Sequence, residues 1–278
     1  MKTSKFLSIA TACLLFTTLY SCKSNNTENA VENKTDISAE KLSQIKSLGF
    51  STDNIRKIDE GYLVEGDILL TDDNLTEPST GANLNIAETE QYRTTNVVKS
   101  LPRVVTVSVT NLPQVYSDAV NTMISRYNSL GLRLTFQRAS AGAKGNIDIV
   151  GFNEGPSGGF ITLGSSGFPT SSGAPFNQVR MNTNPAAYGT NPNLLYLASV
   201  LQHEVGHCIG FRHTDYMNRA FSCGSSGAGN EGQSNVGAVR IPGTPSAPDA
   251  ASFMLACSNG GNRTFNANDV IAVNYLYK

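Results

Sequence analysis

Apolar and polar positions along residues 101–210 follow two rhythms. In "RVVTVSVTNL", Val105, Val107 and Val109 alternate with threonine and serine, the period-two pattern of a half-buried strand. From Pro113 to Asn128 the period lengthens. Tyr116, Val120, Met123, Ile124 and Tyr127 recur at helical spacing, and Pro113 suits a first turn. "LRLTF" (132–136) and "IDIV" (147–150) predict strands, "GFITLG" (159–164) a further one flanked by glycine, serine and proline, and "QVRMN" (178–182) a weaker one. "NPNLLYLASVLQHEVGHCIG" predicts a long helix ending at Gly210. A glycine- and proline-rich stretch from Asp215 to Ala251 has no period, and "NANDVIAVNYLYK" closes the chain as a helix. These elements make residues 100–278 the main domain, and no internal repeat is visible.

Ahead of it the pattern is sparser. "SAEKLSQIKSLGF" predicts a helix with Ser38 as its cap and Gly49 as its stop, and "GYLVEGDILL" alternates like a strand. Residues 37–72 therefore read as a small α/β unit, too small to be very stable alone and attached to something larger. Polar, irregular sequence over 73–99 reads as a linker, and 22–36 as a tether. Residues 1–21 carry a short basic head, Lys2 and Lys5, before an apolar run too short to span a bilayer comfortably, the features of an export signal. The run ends in "LYSC", which resembles a bacterial lipobox with Cys22 as the lipidated residue. Ordinary cleavage with a secreted product is the alternative. Lys23 is unlike the aspartate of inner-membrane retention signals, so the outer membrane or cell surface is the expected location.

Charge narrows the partners. The chain has 21 basic and 22 acidic residues. No basic surplus exists to attract nucleic acid or anionic lipid, which leaves the N-terminal lipid as the only membrane contact. A monomer is expected. Cys13 is lost with the signal and Cys22 goes to lipid, leaving Cys208, Cys223 and Cys257. Cys208 falls on the buried face of the long helix, while Cys223 and Cys257 lie in loop-like sequence and are the candidate disulfide. Two free thiols are the alternative.

All three histidines, His203, His207 and His213, lie in "HEVGHCIGFRHTD". Positions four apart on a helix share a face, so the imidazoles of His203 and His207 stand one turn apart and can hold one small cation. Glu204 projects beside them, free to activate a water and take its proton. Leu194, Ala198, Leu201, Val205 and Cys208 line the opposite face, which lets the helix bury that side and present the histidines to a cleft. Gly210 permits a sharp exit through a positive backbone angle, after which His213 can return as a third ligand. Three histidines leave one position of a tetrahedral ion open, the mark of a catalytic rather than a structural site.

"HEVGHCIGFRH" has the HExxHxxGxxH signature of the metzincin metallopeptidases at every defined position. With the following Thr214 and Asp215 it most resembles the bacterial dual-action HEIGH metallopeptidase family, Val205 standing in place of the isoleucine. The resemblance implies an α+β fold: a twisted, mostly parallel sheet with an antiparallel edge strand, an active-site helix, a Met-turn and a C-terminal helix, here preceded by a small α/β propeptide. It implies one catalytic Zn²⁺ on His203, His207 and His213, and peptide or protein substrates. Met254 in "SFM" is the candidate Met-turn residue, with Met217 the competitor and a plain core methionine the bland alternative. "GFITLG" corresponds to the substrate-binding edge strand. Astacins, a related branch, place a tyrosine two residues after that methionine, where this chain has Ala256, so the oxyanion-stabilising group is not identified. Room is left for Ca²⁺ as a second ion, although no residues mark a site for it.

The resemblance implies a zinc endopeptidase that hydrolyses peptide bonds with Glu204 as general base, and the N-terminal segment makes it an exported one. A catalytically silent binding lipoprotein of the same fold is the alternative, and the intact Glu204 argues against it. Hydrolysis of a small non-peptide substrate is a third reading, opposed by the resemblance. Within the small unit, "LVEGDILL" resembles the FxGD element of astacin propeptides, with Val64 in place of the phenylalanine. On that likeness Asp67 is a candidate zymogen ligand that blocks the zinc, and removal is expected near Arg93 or Lys99. An exposed strand-end aspartate is the alternative.

Overall fold

The computed structural model describes residues 37–76, 91–157, 159–224, 238–245 and 248–278. The signal segment, the tether with Cys22 and residues 77–90 of the linker lie outside the described residues. In chain order the elements are α1 (Ala39–Ser47), β1 (Arg56–Ile58), β2 (Gly61–Val64), β3 (Ile68–Leu70), α2 (Asp72–Thr76), β4 (Tyr92–Arg93), β5 (Arg103–Thr110), α3 (Gln114–Asn128), β6 (Leu134–Arg138), β7 (Ile147–Phe152), β8 (Gly164–Ser166), β9 (Gln178–Asn182), α4 (Pro185–Tyr188), α5 (Leu194–Ile209), α6 (Ala220–Cys223), β10 (Val239–Arg240) and α7 (Ala267–Tyr277).

Eight strands form one sheet in the order β1-β2-β3-β8-β9-β7-β5-β6. β9, β7, β5 and β6 are parallel neighbours, and β8 runs antiparallel to β9. This is the α+β arrangement expected, a mostly parallel main sheet with β8 reversed beside it, extended here by the antiparallel β1–β2–β3 set. Val105 and Val107 of β5 join the main core together with Tyr116, Val120 and Met123 of α3 and Leu197, Leu201 and Val205 of α5. A second, smaller core holds Ile45, Leu48, Phe50, Ile55, Tyr62, Val64, Ile68, Leu70 and Leu75, and Phe168 is its one buried member from the later chain.

Four stretches differ from the sequence pattern. "GYLVEGDILL" is a hairpin rather than one strand: β2 and β3 pair antiparallel, Val64 opposite Ile68. Glu65 and Gly66 turn through positive φ of 55° and 95°. The turn is masked in the sequence because both faces of the hairpin are buried, so its apolar run continues on either side of the bend. β3 then adds in parallel to β8, which joins the small unit to the main sheet.

Residues 159–163 are not a strand. Gly159 bends the chain at φ 86°. The carbonyls of Thr162 and Leu163 are taken by Asn182 Nδ2 (2.8 Å) and Asn182 N (2.9 Å), so the ladder starts only at Gly164. The third difference lies at 91–99, which belongs to the main body and not to a linker. Tyr92, Thr94 and Val98 are buried there, and Arg93 is paired in β4. Finally, α5 is buried on every side from Leu197 onward, while Leu194, placed on its buried face by periodicity, is only half-buried. The sheet covers one side, and the hairpin turn covers the side expected to face a cleft.

Several contacts hold α5 in place. Asn193 caps its first turn. Tyr127 Oη donates to the Gln202 carbonyl at 2.8 Å, and Tyr277 Oη donates to the Ile209 carbonyl. Asp269, fully buried at the start of α7, accepts from Gln91 Nε2 (2.5 Å), Ser252 Oγ (2.9 Å), Phe253 N (3.2 Å) and Asn266 N (3.0 Å). One carboxylate thus ties the segments around residues 91 and 252 to the start of its own helix. Asp269→Ala leaves several of these donors buried and unsatisfied and is expected to cost ~2–4 kcal/mol of stability. Urea unfolding of the variant checks this; an unchanged midpoint would contradict it.

A candidate metal centre beside Glu204

Two of the three histidines come from consecutive turns of α5. The third follows the helix cap. Gly210 ends α5 at φ 112°, and a Cβ there would stand 3.0 Å from the Asn96 carbonyl oxygen. Both the positive angle and the close approach require glycine. Beyond it the strap leading to His213 is held from two sides. β4 bonds it through Thr94 N to the Gly210 carbonyl (2.8 Å) and Arg212 N to the Tyr92 carbonyl (2.9 Å), and Thr214 N donates to the Met254 carbonyl (2.9 Å). This is why residues 91–94 pack into the body: they aim the third histidine.

The histidine Nε2 atoms converge. Those of His203 and His213 each stand 3.1 Å from that of His207. Asp67, from the β2–β3 turn, adds a carboxylate oxygen 3.1 Å from His213 Nε2 and 3.4 Å from His203 Nε2. All four ligand atoms lie within 4.8 Å of one another. On the far side of the rings, His203 Nδ1 meets the Phe253 carbonyl oxygen at 2.9 Å, and His207 Nδ1 meets that of Phe211 at 2.8 Å. A carbonyl only accepts, so each Nδ1 carries the proton and each Nε2 presents a lone pair. The 3.1 Å between those two nitrogens is then a contact of two acceptors with no proton to bridge them.

Such an arrangement fits a cation. Ligands ~2.0–2.1 Å from a tetrahedral zinc stand ~3.3–3.4 Å from one another, close to the separations seen here. Burial, then the neighbouring His213 and His203, hold His207 well below the usual imidazole range, which keeps it a neutral ligand. Burial alone would raise the Asp67 carboxyl, but the imidazoles, His213 foremost, hold it well below the usual carboxylate range.

Glu204 sits beside this cluster without entering it. Ser166 Oγ of β8 stands 2.8 Å from its Oε2 and 2.9 Å from its carbonyl oxygen. A Cβ on Gly164 would come within 2.7 Å of Oε1, so a glycine at the head of β8 is what lets the carboxyl lie against the strand. Burial, then the charge of Asp67, push Glu204 well above the usual carboxylate range. Under the helix, a Cβ on Gly206 would stand 2.5 Å from Met254 Sδ and 2.9 Å from the Phe253 ring. The glycine inside "HEVGH" thus lets the Met254 turn pack directly against α5, where Phe253 also supplies the carbonyl that orients His203. Met254 is buried there. Met217 is not in that turn.

Further contacts, silent in the sequence, fasten the Asp67 turn. Arg212, fully buried between Phe50 and Tyr216, lies 3.6 Å from Glu65 Oε2. Thr162 Oγ1 donates to the Gly66 carbonyl at 3.1 Å, and Ser166 N to the Asp67 carbonyl at 3.0 Å. Arg56 Nη1 reaches Glu154 at 2.5 Å. The only hint in the sequence is the arginine within "GFRH". Cys223 and Cys257 form a disulfide, Cα atoms 5.1 Å apart, and Cys208 is a buried free thiol.

Residues 62–277 match the dual-action HEIGH metallopeptidase family. Two structures of myroilysin are similar to this one. The first has a TM-score of 0.42 and 14% identity, and covers 66% of this chain and 98% of that chain; the second has 0.41 and 15%, and covers 66% and 86%. High choriolytic enzyme 1, a hatching enzyme zinc-protease from Oryzias latipes, aligns with a TM-score of 0.36 and 13% identity over 62% of this chain and 88% of its own. No protein of curated function matches the chain. With the family match running from β2 to the end of α7, around the whole histidine cluster, the chain belongs to the dual-action HEIGH metallopeptidases.

Proposed function

We propose that this metallopeptidase is an exported zinc endopeptidase, synthesised in a latent form in which Asp67 occupies the position needed for catalysis. The observation that carries this reading is the convergence of three imidazole Nε2 atoms and the Asp67 carboxylate, with Glu204 alongside but outside the cluster. His203, His207 and His213 would hold the ion. Zinc bound there supplies a Lewis acid that polarises the scissile carbonyl and acidifies water. Glu204 takes the proton from the attacking water and returns it to the leaving amine. Ser166 and Gly164 hold its carboxyl against β8 for both transfers.

Latency draws support from the way the turn is bound. β3 covers the side of β8 away from β9, and the buried Glu65–Arg212 pair fastens the turn two residues from Asp67. Since 91–99 is built into the main body, removal near Arg93 or Lys99 would cut the segment that holds the His213 strap in place. The cut is better placed between Thr76 and Gln91, where the sequence is polar. Lipidation at Cys22, with delivery to the outer membrane or cell surface, completes the proposal.

Metal analysis is expected to give one zinc per chain, abolished together with proteolysis by chelation. Glu204→Ala is expected to retain zinc and lose roughly 10²–10⁴-fold in kcat/KM. A Glu204→Ala enzyme as fast as the parent would remove the general-base role. Asp67→Ala is expected to make the uncut precursor active or to speed its self-cleavage. If its latency equals that of the parent in a fluorogenic peptide assay, Asp67 is not the blocking ligand. Glu65→Gln leaves Asp67 intact but weakens the pair with Arg212. It should shorten the lag before activation, read as the time course of precursor loss on a gel.

A further inference from the structure

We propose that Arg263, which shares its pocket with Arg219, selects an acidic side chain in the substrate residue that supplies the leaving amine. The inference rests on the peptidase reading above. The cleft at His203 and Glu204 continues into a pocket walled by Ser199 and Val200 of α5 on one side and residues 255–258 on the other, with Arg219 and Arg263 among its lining. Because Glu204 hands its proton to the leaving amine, the residue carrying that amine lies next to Glu204. Its side chain is therefore the one that enters this pocket.

The pocket wall is built and not merely a gap. Ser199 Oγ accepts from Arg263 N at 2.9 Å and stands 3.1 Å from the Arg263 carbonyl oxygen, fixing this segment against α5. Arg263 Nη1 donates to the Cys257 carbonyl at 2.8 Å, and Cys257 is pinned to Cys223 by the disulfide. The guanidinium is not fully satisfied: Nε is buried and has no hydrogen-bond partner. Asp215 and Asp269 are the carboxylates whose charge reaches it, and both are engaged elsewhere. Asp215 accepts from Ser222 N, Ser222 Oγ and Ala256 N, and Asp269 from the four donors described above. Among the described residues, no carboxylate is paired with Arg263.

A half-buried guanidinium lacking a counter-charge favours a carboxylate guest, which can accept two parallel N–H bonds. A carboxamide of the same shape offers one neutral acceptor and a donor facing a donor, so Asp and Asn separate charge from size. Arg219 lies against the blocking turn, its Nη2 3.4 Å from where a Cβ on Gly66 would be. It therefore faces the space the turn occupies. The acids of that turn use other partners, Glu65 with Arg212 and Asp67 with the histidines, so neither one answers Arg263.

The test uses active enzyme from the full chain and two fluorogenic peptides that differ only in Asp or Asn after the scissile bond. The parent is expected to favour the Asp peptide ~10–100-fold in kcat/KM. In Arg263→Leu this ratio should fall toward one, and Arg263→Lys should keep part of it. The ratio is internal to each preparation, so a poorly folding variant still reports it. A parent that cleaves both peptides equally overturns the proposal even if no variant folds, as does an Arg263→Leu ratio equal to that of the parent. Cleavage of neither peptide, nor of a broad peptide library, would instead overturn the peptidase reading and this inference with it.

Discussion

Three ring nitrogens converging on one point, two of them with their lone pairs facing inward, are the constraint around which this molecule is organised. Without a cation the lone pairs of His203 and His207 repel, so the protein must hold them there by force of its other contacts. The work is spread widely. The carbonyls of Phe253 and Phe211 fix the rings of His203 and His207, and the cap at Gly210 turns the chain toward His213. β4 and the Met254 turn hold that strap from either side. Asp269 joins the Met254 turn to Gln91 just before β4, so one buried carboxylate supports both ends of the histidine scaffold. Metal affinity and fold stability are therefore coupled through a few shared residues.

The turn carrying Asp67 meets this cluster with complementary charge at each point. Its two acids face cationic or cation-binding groups, and its backbone bonds to β8 and Thr162. A buried ion pair such as Glu65–Arg212 contributes little net stability while intact, because both charges are desolvated. Removing one partner is costly, since the other, still buried, loses a counter-charge. The pair thus favours an all-or-none fit of the turn over partial release.

Much of this could be read from the chain because regular periodicity and fixed spacing survive in one dimension. α3 and α5 declare themselves through spacing, β5 through alternation and β7 through a short apolar run, while β9 shows more weakly. His203, His207, Glu204 and Gly210 are set by helix geometry alone. What could not be read depends on tertiary contact. The β2–β3 bend is hidden because Tyr62–Val64 and Ile68–Leu70 on either side of it are apolar on both faces, and Gly66 alone does not distinguish a turn from a strand. Residues 91–99 look like linker because their value lies in backbone bonds to Gly210 and Arg212, which no side-chain pattern reveals. Gly164 and Gly206 matter for the side chains they would otherwise strike, Glu204 and Met254, and Ser166 and Arg263 for neighbours far away in sequence.

The shortness of β8 has a consequence of its own. The strand is three residues long, with β9 on one side and β3 on the other. Were β3 to leave, β8 would become an open sheet edge, the kind of surface on which extended chains add. An edge that welcomes a passing peptide also welcomes a second copy of the same protein, and long bare edges promote aggregation for that reason. Three residues offer too few backbone bonds to hold a foreign strand by the ladder alone. A guest must also find contacts off the sheet, which two copies of a folded domain cannot easily give each other and a flexible chain can.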